Sequence, residues 1–421
     1  MVKDMTTGNS LKLILAFSIP MLFGNLFQQF YNMVDSIVVG KYVSTNALAA
    51  VGATGSLNFL VIGFVMGICT GFNIKVSQSF GSGNHAEMRS YIANGAYLCG
   101  IFTAVLTALT LLFTRPVLEW MNTPKEIITD AYDYIIIVFA GIIAIMAYNY
   151  LSCILRALGD SRTPLYFLIL ASLINIVLDL VFVLYFDMGV KGVGYATVIA
   201  QGISALLCLA YMKKHYPILQ FSREELAFNW NKCKQLMGIG VPMALQFSIT
   251  AIGSIILQIA VNSLGAASIA AVTAANRLQI MFTQPLETLG LTMATFCGQN
   301  LGAGKTERIH EGIRKALQLS LAYCVLLLAI MMIFAPQLSL LFVNAEETAV
   351  ITQTAEFLRI NSLFYSALGV LFILRNGLQG MGFGILPMCA GIVELIGRSV
   401  VAICFVSLFQ YQAVCIASPV A

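Results

Sequence analysis

Charged residues are scarce in this sequence: 10% of its 421 residues are Asp, Glu, Lys or Arg, and 59% are hydrophobic. This balance excludes a soluble domain of this size and indicates a membrane protein. Histidine is also scarce, and all three copies fall in segments predicted to lie on the cytoplasmic side, so a histidine relay across the bilayer is excluded. The ten cysteines are scattered without close pairs, which argues against a disulfide framework or a metal site.

Several catalytic and nucleotide-binding motifs are missing as well. The chain has neither the HExxH motif of zinc proteases nor a paired-aspartate DDxxD motif. Lys305 and Thr306 follow Gly304, but the earlier glycine of a phosphate-binding loop is absent at the required spacing. We therefore expect no enzyme activity, no catalytic residue and no cofactor.

The sequence does contain an internal repeat of two copies. The segments "IPM" at 19–21, "LAAV" at 48–51 and "QSFGSG" at 78–83 recur as "VPM" at 241–243, "IAAV" at 269–272 and "QNLGAG" at 299–304. Repeats in an apolar chain are typical of transporters, in which paired bundles enclose a site at the bilayer midplane.

Apolar runs of about 20 residues are long enough to cross the bilayer as helices. Eleven such spans are predicted, at 12–39, 47–76, 91–113, 131–155, 164–186, 192–212, 236–262, 268–297, 316–335, 349–373 and 385–408. The repeat places a twelfth helix near 413–433, whereas the sequence stops at residue 421. We expect this helix to be incomplete; a natural eleven-span protein is the alternative.

Lys and Arg in the loops predict the orientation. With a cytoplasmic N-terminus, fifteen of them, Arg156 and Arg375 included, lie in inside segments and four, Lys41, Arg115, Lys125 and Lys191, lie outside. We expect a monomeric, multi-pass protein of the cell (plasma or inner) membrane, with no nucleic-acid partner. Residues 1–212 form the N-terminal lobe, 213–235 a solvated cytoplasmic linker, and 236–421 the C-terminal lobe with its incomplete helix.

Four of the 19 acidic residues lie well within predicted spans: Asp35, Asp179, Glu287 and Glu394. A charge at the bilayer centre costs roughly 2.5–3.5 kcal/mol on insertion scales, so such residues usually face a cavity or a partner. Arg398 follows Glu394 by one helical turn, which favours a structural ion pair over a transport role. Glu287 lies in a polar run, and a place on the transport pathway is one interpretation of it.

Asp35 and Asp179 have amide neighbours instead of basic ones. Gln28 shares a helix face with Asp35, Asn175 lies one turn before Asp179, and Thr197 lies near the start of the next helix. These oxygens would suit a hard cation such as Na⁺, or a proton carried on a carboxylate. The alternative is that both aspartates only form hydrogen bonds with neighbouring helices.

Aromatic and methionine side chains within the spans could line a pocket for a flat organic cation. Tyr31 and Phe282 are candidates for the substrate or ion pathway. The full set is Phe27, Phe30, Tyr31, Met33, Tyr148, Tyr150, Met281 and Phe282.

Several blocks resemble the MATE family of multidrug and toxin extrusion transporters. They are "NMVDSIVVGKYVSTNALAAVG", "QSFGSGN", "LRALGDSRTP", "NIVLDLVFVLYFDMGVKGVGYAT" and "GQNLGAGK", in this order along the chain. The resemblance implies an all-α membrane protein of twelve helices in two pseudo-symmetric six-helix bundles. It also implies a central cleft and export of small organic cations in exchange for H⁺ or Na⁺.

The acidic pair resembles the pattern of the DinF-like branch, whose cation site lies in the N-terminal lobe. By motif position the resemblance assigns Asp35, Asn175, Asp179 and Thr197 to that site, with Gln28 beside them; Asn149 is a further candidate for the pathway. Another branch carries its acid on helix seven, but the span 236–262 has no acidic residue.

Three other functions are alternatives to antiport: a flippase, an intramembrane enzyme and a channel. A flippase for lipid-linked sugars should have Arg or Lys in its cleft to hold pyrophosphate, and the first-half spans offer only Lys75. An intramembrane enzyme lacks its motifs, and a channel would need a pore loop or a ring of charge. Antiport is therefore the leading hypothesis.

Overall fold

The fold is all α-helical in the part of the chain that the computed structural model describes, residues 3–121 and 123–420, with Ala266 and Ser407 described by their backbone alone. The helices are α1 Ser10–Val38, α2 Thr45–Ala53, α3 Gly55–Gly81, α4 His85–Trp120, α5 Ile128–Ala140, α6 Ile142–Ala157, α7 Arg162–Leu180, α8 Gly189–His215, α9 Trp230–Asn262, α10 Ala266–Gly302, α11 Thr306–Ser339, α12 Thr348–Gly380, α13 Ile385–Val400 and α14 Val406–Val420.

Nine helices of the described chain are long and apolar enough to cross a membrane. α5 and α6 meet at a bend of 50°, and the number rises to ten if this bent pair is counted as one span. α10 has 37 residues, but it is too polar to be counted with them. Each of the eleven predicted spans falls on one of these helices or helix pairs.

The repeat is visible in the backbone as well as in the sequence. Five-residue π-helical turns, Val181–Tyr185 and Val401–Phe405, extend α7 and α13 at equivalent places. Shortly after each turn one residue enters the left-handed region, Asp187 with φ 52° and Gln410 with φ 48°. The second of these breaks α14 close to the position predicted for the start of a twelfth helix.

The first helix of each half begins in the same way. The side chain of Asn9 accepts a hydrogen bond from the backbone N–H of Lys12 at 3.1 Å, and Asn229 accepts from Lys232 at 3.2 Å. Such a cap satisfies one of the N–H groups that a helix start leaves unpaired.

The two halves meet most closely where α3 crosses α9. Gly67 and Gly71, one turn apart on α3, lie against Ala244 and Gly240 of α9, and a side chain added at either glycine would meet α9 backbone atoms. Small residues one turn apart let membrane helices approach closely. This crossing therefore depends on glycine at Gly67, Gly71 and Gly240 and on the small side chain of Ala244.

A second contact between the halves joins the ends of α3 and α10. Gly81 lies against the carbonyl of Gln299, and Gly302 lies against the carbonyl of Gln78. The two repeated segments "QSFG" and "QNLG" thus pack on each other reciprocally.

The later glycines of these segments form the turns that follow the two helices. Gly83 and Gly304 have φ values of +75° and +71°, which favour glycine, and each lies two residues after the last residue of its helix. Gly81 and Gly302 are the last residues of the two helices, and they allow the close packing described above.

The segment between α8 and α9 was predicted as a solvated linker, and most of its charged residues are exposed, but Glu225 also fastens it to α4. Arg89 donates to both carboxylate oxygens of Glu225 at 2.8 and 2.6 Å and to the Ile218 carbonyl at 3.0 Å. The guanidinium lowers the pKa of Glu225 to about 2. Asn94 of α4 binds the same segment through the Ala227 carbonyl and the Asn229 N–H. The lobe boundaries at 212 and 236 stay a prediction.

Candidate functional site

A cavity of about 950 Å³ lies between the two halves. Helices of both halves line it, and its wall carries amides, aromatic rings and charged groups. This size and mixture suit a small organic ligand. The residues used below are Asn25, Gln28, Asn32, Arg156, Gln246, Phe247, Gln284, Glu287, Phe364, Phe372, Arg375, Glu394 and Arg398.

The cavity is closed at the end of the molecule where α1 begins, here called the inner end. There Ser77 donates to the Thr295 carbonyl at 3.2 Å, and Gln78 donates to the Gly380 carbonyl at 3.0 Å. Among the described residues, the hydrogen bonds between the halves are concentrated near this end. The one farthest from it is donated by Asn25 to Thr288 at 3.1 Å. The cavity therefore opens toward the other end.

The segment before α1 takes part in this closure. Gln299 accepts from the Met5 N–H at 2.9 Å and donates to the Ala157 carbonyl at 2.8 Å. Asn300 donates to the Met5 carbonyl at 3.2 Å, and the Lys3 N–H reaches the Leu158 carbonyl at 3.1 Å. The segment thus connects the end of α10 in the second half to the end of α6 in the first.

Four of the five predicted cation-site residues come together between α1, α7 and α8. Asp35 and Asp179 are within hydrogen-bonding distance of each other. In the amide orientation that satisfies both of its ends, Asn175 donates to Asp35 Oδ1 at 2.9 Å and accepts from the Thr197 N–H at 3.2 Å. Tyr31 lies beside Asp35 and Thr197.

This group, here called the acid cluster, consists of Tyr31, Asp35, Asn175, Asp179 and Thr197. Asp179 is fully buried, and its Oδ1 atom has no hydrogen-bond partner among the described residues. Two carboxyl groups form a hydrogen bond only when one of them carries a proton. A buried carboxylate oxygen without a partner is where a proton or a metal cation would be stabilised.

Gln28 lies elsewhere, and the structure separates it from the predicted group. It lies two turns before Asp35, exposed in the wall of the central cavity. Its side chain points in nearly the same direction as Asp35, but at that level α1 borders the cavity instead of the acid cluster.

The pathway candidates also separate. Tyr31 is buried in the acid cluster, away from the cavity wall. Phe282 packs against the core of the second half, and its carbonyl accepts from Tyr323 at 2.8 Å, so the structure does not place its ring in the cavity. Asn149 lines a small cavity of about 70 Å³ beside Gln28, and Glu287 lines the large one.

A charged group in the second half forms part of the cavity wall. The predicted ion pair is confirmed: Arg398 Nη2 lies 2.6 Å from Glu394 Oε1. Arg375 Nη1 lies 3.9 Å from Glu394 Oε2. With the Gln246 amide oriented so that its oxygen faces Arg375, it accepts from Nε at 3.1 Å and from Nη1 at 3.3 Å, and the Gln379 amide turns with it so that its oxygen accepts from the Gln246 nitrogen at 2.8 Å.

The sequence analysis placed Arg375 and Arg156 in loops at the inside ends of the spans, whereas the structure has both of them in helices. Arg375 lies within α12 and Arg156 near the end of α6, and both line the cavity. The signal that could have revealed Arg375 was its counterpart Glu394 on the following helix, but pairing across two helices is not readable from spacing. Gln246 and Phe247 on α9 were missed for the same reason.

The described residues contain no group of three or more His, Cys, Asp or Glu side chains suited to a metal ion. The oxygens of the acid cluster are of the kind that a hard cation takes from carboxylates, amides and hydroxyls. Among the described residues, this is where such oxygens gather.

Comparison with known proteins gives consistent matches. A family model described as MatE matches residues 20–181 and 242–404, once in each half. The chain is 30% identical over 386 residues to the probable multidrug resistance protein YpnP of Bacillus subtilis, covering 90% of this chain and 84% of the relative. It is 24% identical over 380 residues to an FAD transporter of Shewanella oneidensis, covering 87% and 82%.

Among solved structures, the chain is similar to an outward-facing multidrug resistance MATE family transporter. The TM-score is 0.91 at 22% identity, and the match covers 99% of this chain and 93% of the other. This likeness shows the fold.

Proposed function

The chain belongs to the MatE family of multidrug and toxin extrusion transporters, and we propose that it exports small organic molecules, cations among them, in exchange for protons or sodium ions. The observation that carries the proposal is a cavity of drug size between the halves, together with a separate buried acid cluster in the first half. Names of relatives support drug export and, in one case, FAD transport.

Coupling requires that the ion and the drug bind with different affinities to the two states of the transporter. α1 can connect the two sites because it contributes to both. Asp35 on α1 belongs to the acid cluster, while Asn25 and Asn32 of the same helix line the cavity. A proton or Na⁺ bound at Asp35 and Asp179 would favour one position of α1 and hence one state of the cavity.

The inner closure supports alternating access by rocking of the halves. Asn25 ties α1 to Thr288 of α10, and the inner ends of α3 and α10 pack reciprocally. In the opposite state these contacts would separate and the cavity would open at the inner end. The excess of Lys and Arg in inner loops supports a cytoplasmic inner end in the cell membrane. Assignment to the DinF-like branch and a monomeric state are part of this proposal.

The test is transport in liposomes that contain the purified protein. Ethidium movement is followed while a sodium gradient is imposed at constant pH, and then while a pH gradient is imposed without sodium. Movement driven by one gradient would identify the coupling ion. No movement under either gradient would contradict coupled export of this cation.

The acid cluster is tested by Asp179→Asn, which keeps the shape of the side chain but cannot carry the charge. We expect gradient-driven ethidium movement to fall at least about tenfold, because the buried carboxylate is the proposed ion ligand. Asp187→Asn is the matched control, since Asp187 is exposed in a turn whose positive φ suits Asn. Normal transport by the Asp179 variant would exclude this residue from coupling.

A flippase for lipid-linked oligosaccharide precursors is the second candidate, and one observation favours it. Arg156, Arg375 and Arg398 line the cavity, which is the basic lining that such a substrate requires. Translocation of a fluorescent polyprenyl pyrophosphate sugar in the same liposomes would distinguish it from drug export.

A further inference from the structure

We infer that Arg375 forms, in the second-half wall of the cavity, the binding site for a negatively charged group of the substrate, a carboxylate or a phosphate carried by an aromatic molecule. The inference rests on the proposed function, because it names a class of substrate for the same cavity. It is carried by the charges and distances around this one side chain.

The charge of Arg375 is poorly matched by its neighbours. Glu394 is bound by Arg398 at 2.6 Å, whereas its distance to Arg375 is 3.9 Å, the outer limit of an ion pair. A carboxylate held closely by one guanidinium is only partly available to a second. Two arginines therefore flank one carboxylate.

A second acidic residue, Glu287, does not neutralise the charge of Arg375 by direct contact. Glu287 on α10 accepts its hydrogen bond from Gln284 at 3.3 Å, and within the described chain it forms no ion pair with Arg375. The close acceptor of Arg375 is instead the neutral amide oxygen of Gln246, at 3.1 and 3.3 Å. A neutral acceptor orients a guanidinium without neutralising it.

Arg375 nevertheless borders the cavity. Its side chain is 15% exposed and belongs to the cavity wall. A guanidinium presents its N–H groups in a planar fork that matches carboxylate and phosphate oxygens. Within the protein the ion-pair partner of Arg375 is Glu394, at 3.9 Å. An anionic group in the cavity could therefore approach Arg375 more closely than Glu394 does.

The surroundings of Arg375 favour an aromatic carrier for that group. The guanidinium lies 5.1 Å from the ring centroid of Phe372, and the rings of Phe247 and Phe364 also belong to the wall. Flat rings stack on such side chains in desolvated pockets. A guanidinium surrounded by aromatic rings is suited to bind a flat molecule that carries one anionic group.

The test uses two probes that share one ring system and differ by one phosphate, flavin mononucleotide and riboflavin. Their dissociation constants for the purified full chain are measured by equilibrium dialysis. We expect flavin mononucleotide to bind roughly tenfold or more tightly than riboflavin, as charge-assisted hydrogen bonds predict. Arg375→Gln should reduce that ratio to about one, and Arg375→Lys should retain part of it.

Arg277→Gln is the matched control, because Arg277 is exposed on α10 and lies outside the cavity wall. It removes the same charge and should leave the ratio unchanged. Arg156→Gln tests whether any cavity arginine has the same effect; an equal loss there would overturn the assignment to Arg375. Equal affinity of the two flavins for the wild-type chain would overturn the inference outright.

A further arm distinguishes the source of the anion. Displacement of flavin mononucleotide by farnesyl pyrophosphate, far stronger than by inorganic pyrophosphate, would point to a lipid-borne group and overturn the soluble aromatic substrate. Ethidium transport by the wild-type chain is measured in parallel. If ethidium moves but the flavins bind equally, the inference fails and the proposed function stands; if the flavins differ but no gradient drives ethidium, the proposed coupling fails.

Discussion

Gly302→Ala should weaken the inner closure between the halves. A Cβ atom at this position would meet the backbone carbonyl of Gln78, which cannot move aside as a flexible side chain could. Overpacking of this kind costs about 1–3 kcal/mol. In the proposed rocking motion the contact exists only while the inner end is closed, so the cost is confined to that state.

A penalty of about 1–3 kcal/mol on one state changes the ratio of two states by about 5- to 150-fold. The gain in helix propensity from Gly to Ala, about 1 kcal/mol, applies to both states and cancels. We therefore expect a clear shift toward conformers that are open at the inner end. Gly81→Ala should have the same effect, because Gly81 lies against Gln299 in the reciprocal contact.

The assay is a distance distribution between spin labels on unnatural amino acids at His85 and Thr306. Both residues are exposed, and they begin α4 and α11 at the inner end. Gly100→Ala is the control, since nothing lies within 4 Å of the added Cβ. If the Gly302 and Gly100 variants give the same distribution, either the halves do not separate there or the contact does not limit the motion.

Three further predictions concern other parts of the molecule. Asp35→Asn should impair coupled ethidium export as Asp179→Asn does, and the double variant should be no worse than either single one, because the two carboxyl groups act as a unit; additive losses would contradict this. Glu225→Gln should lower the melting temperature of the detergent-solubilised protein at neutral pH. Since the pKa of Glu225 is lowered from 4.5 to about 2, its contribution is present above about pH 4.5 and is lost as the pH falls toward 2, so the difference from wild type should shrink over that range and a constant difference would refute the assignment. Gln299→Ala should shift the same label distances toward the open form, because it leaves the buried N–H of Met5 and carbonyl of Ala157 unpaired at about 1–3 kcal/mol each; an unchanged distribution would argue against a role of the N-terminal segment in closure.

The repeated helices were predictable from the sequence because their signals are local. Span length follows from apolar runs, and equivalent blocks such as those at 78–83 and 299–304 identify the repeat without knowledge of any contact. Helical spacing also identified the Glu394 and Arg398 pair, since residues four apart on one helix are neighbours wherever that helix packs.

Other assignments failed because they depend on what lies opposite a helix. Gln28 and Asp35 point in nearly the same direction, yet one borders the cavity and the other the acid cluster, because the neighbours of α1 change over two turns. Arg375 was assigned to a loop, since the charge that explains its place in α12 belongs to another helix.

The sequence by itself thus determined the membrane class, the helices, the repeat and the acidic residues within the spans, because hydrophobicity and periodicity act within single segments. Only the tertiary structure decided which faces form the cavity, that Gly81 and Gly302 close its inner end, and that Arg375 enters its wall. These features arise from contacts between residues far apart in the chain. Their geometry is set by how close two backbones can approach and by which charges must find partners away from water.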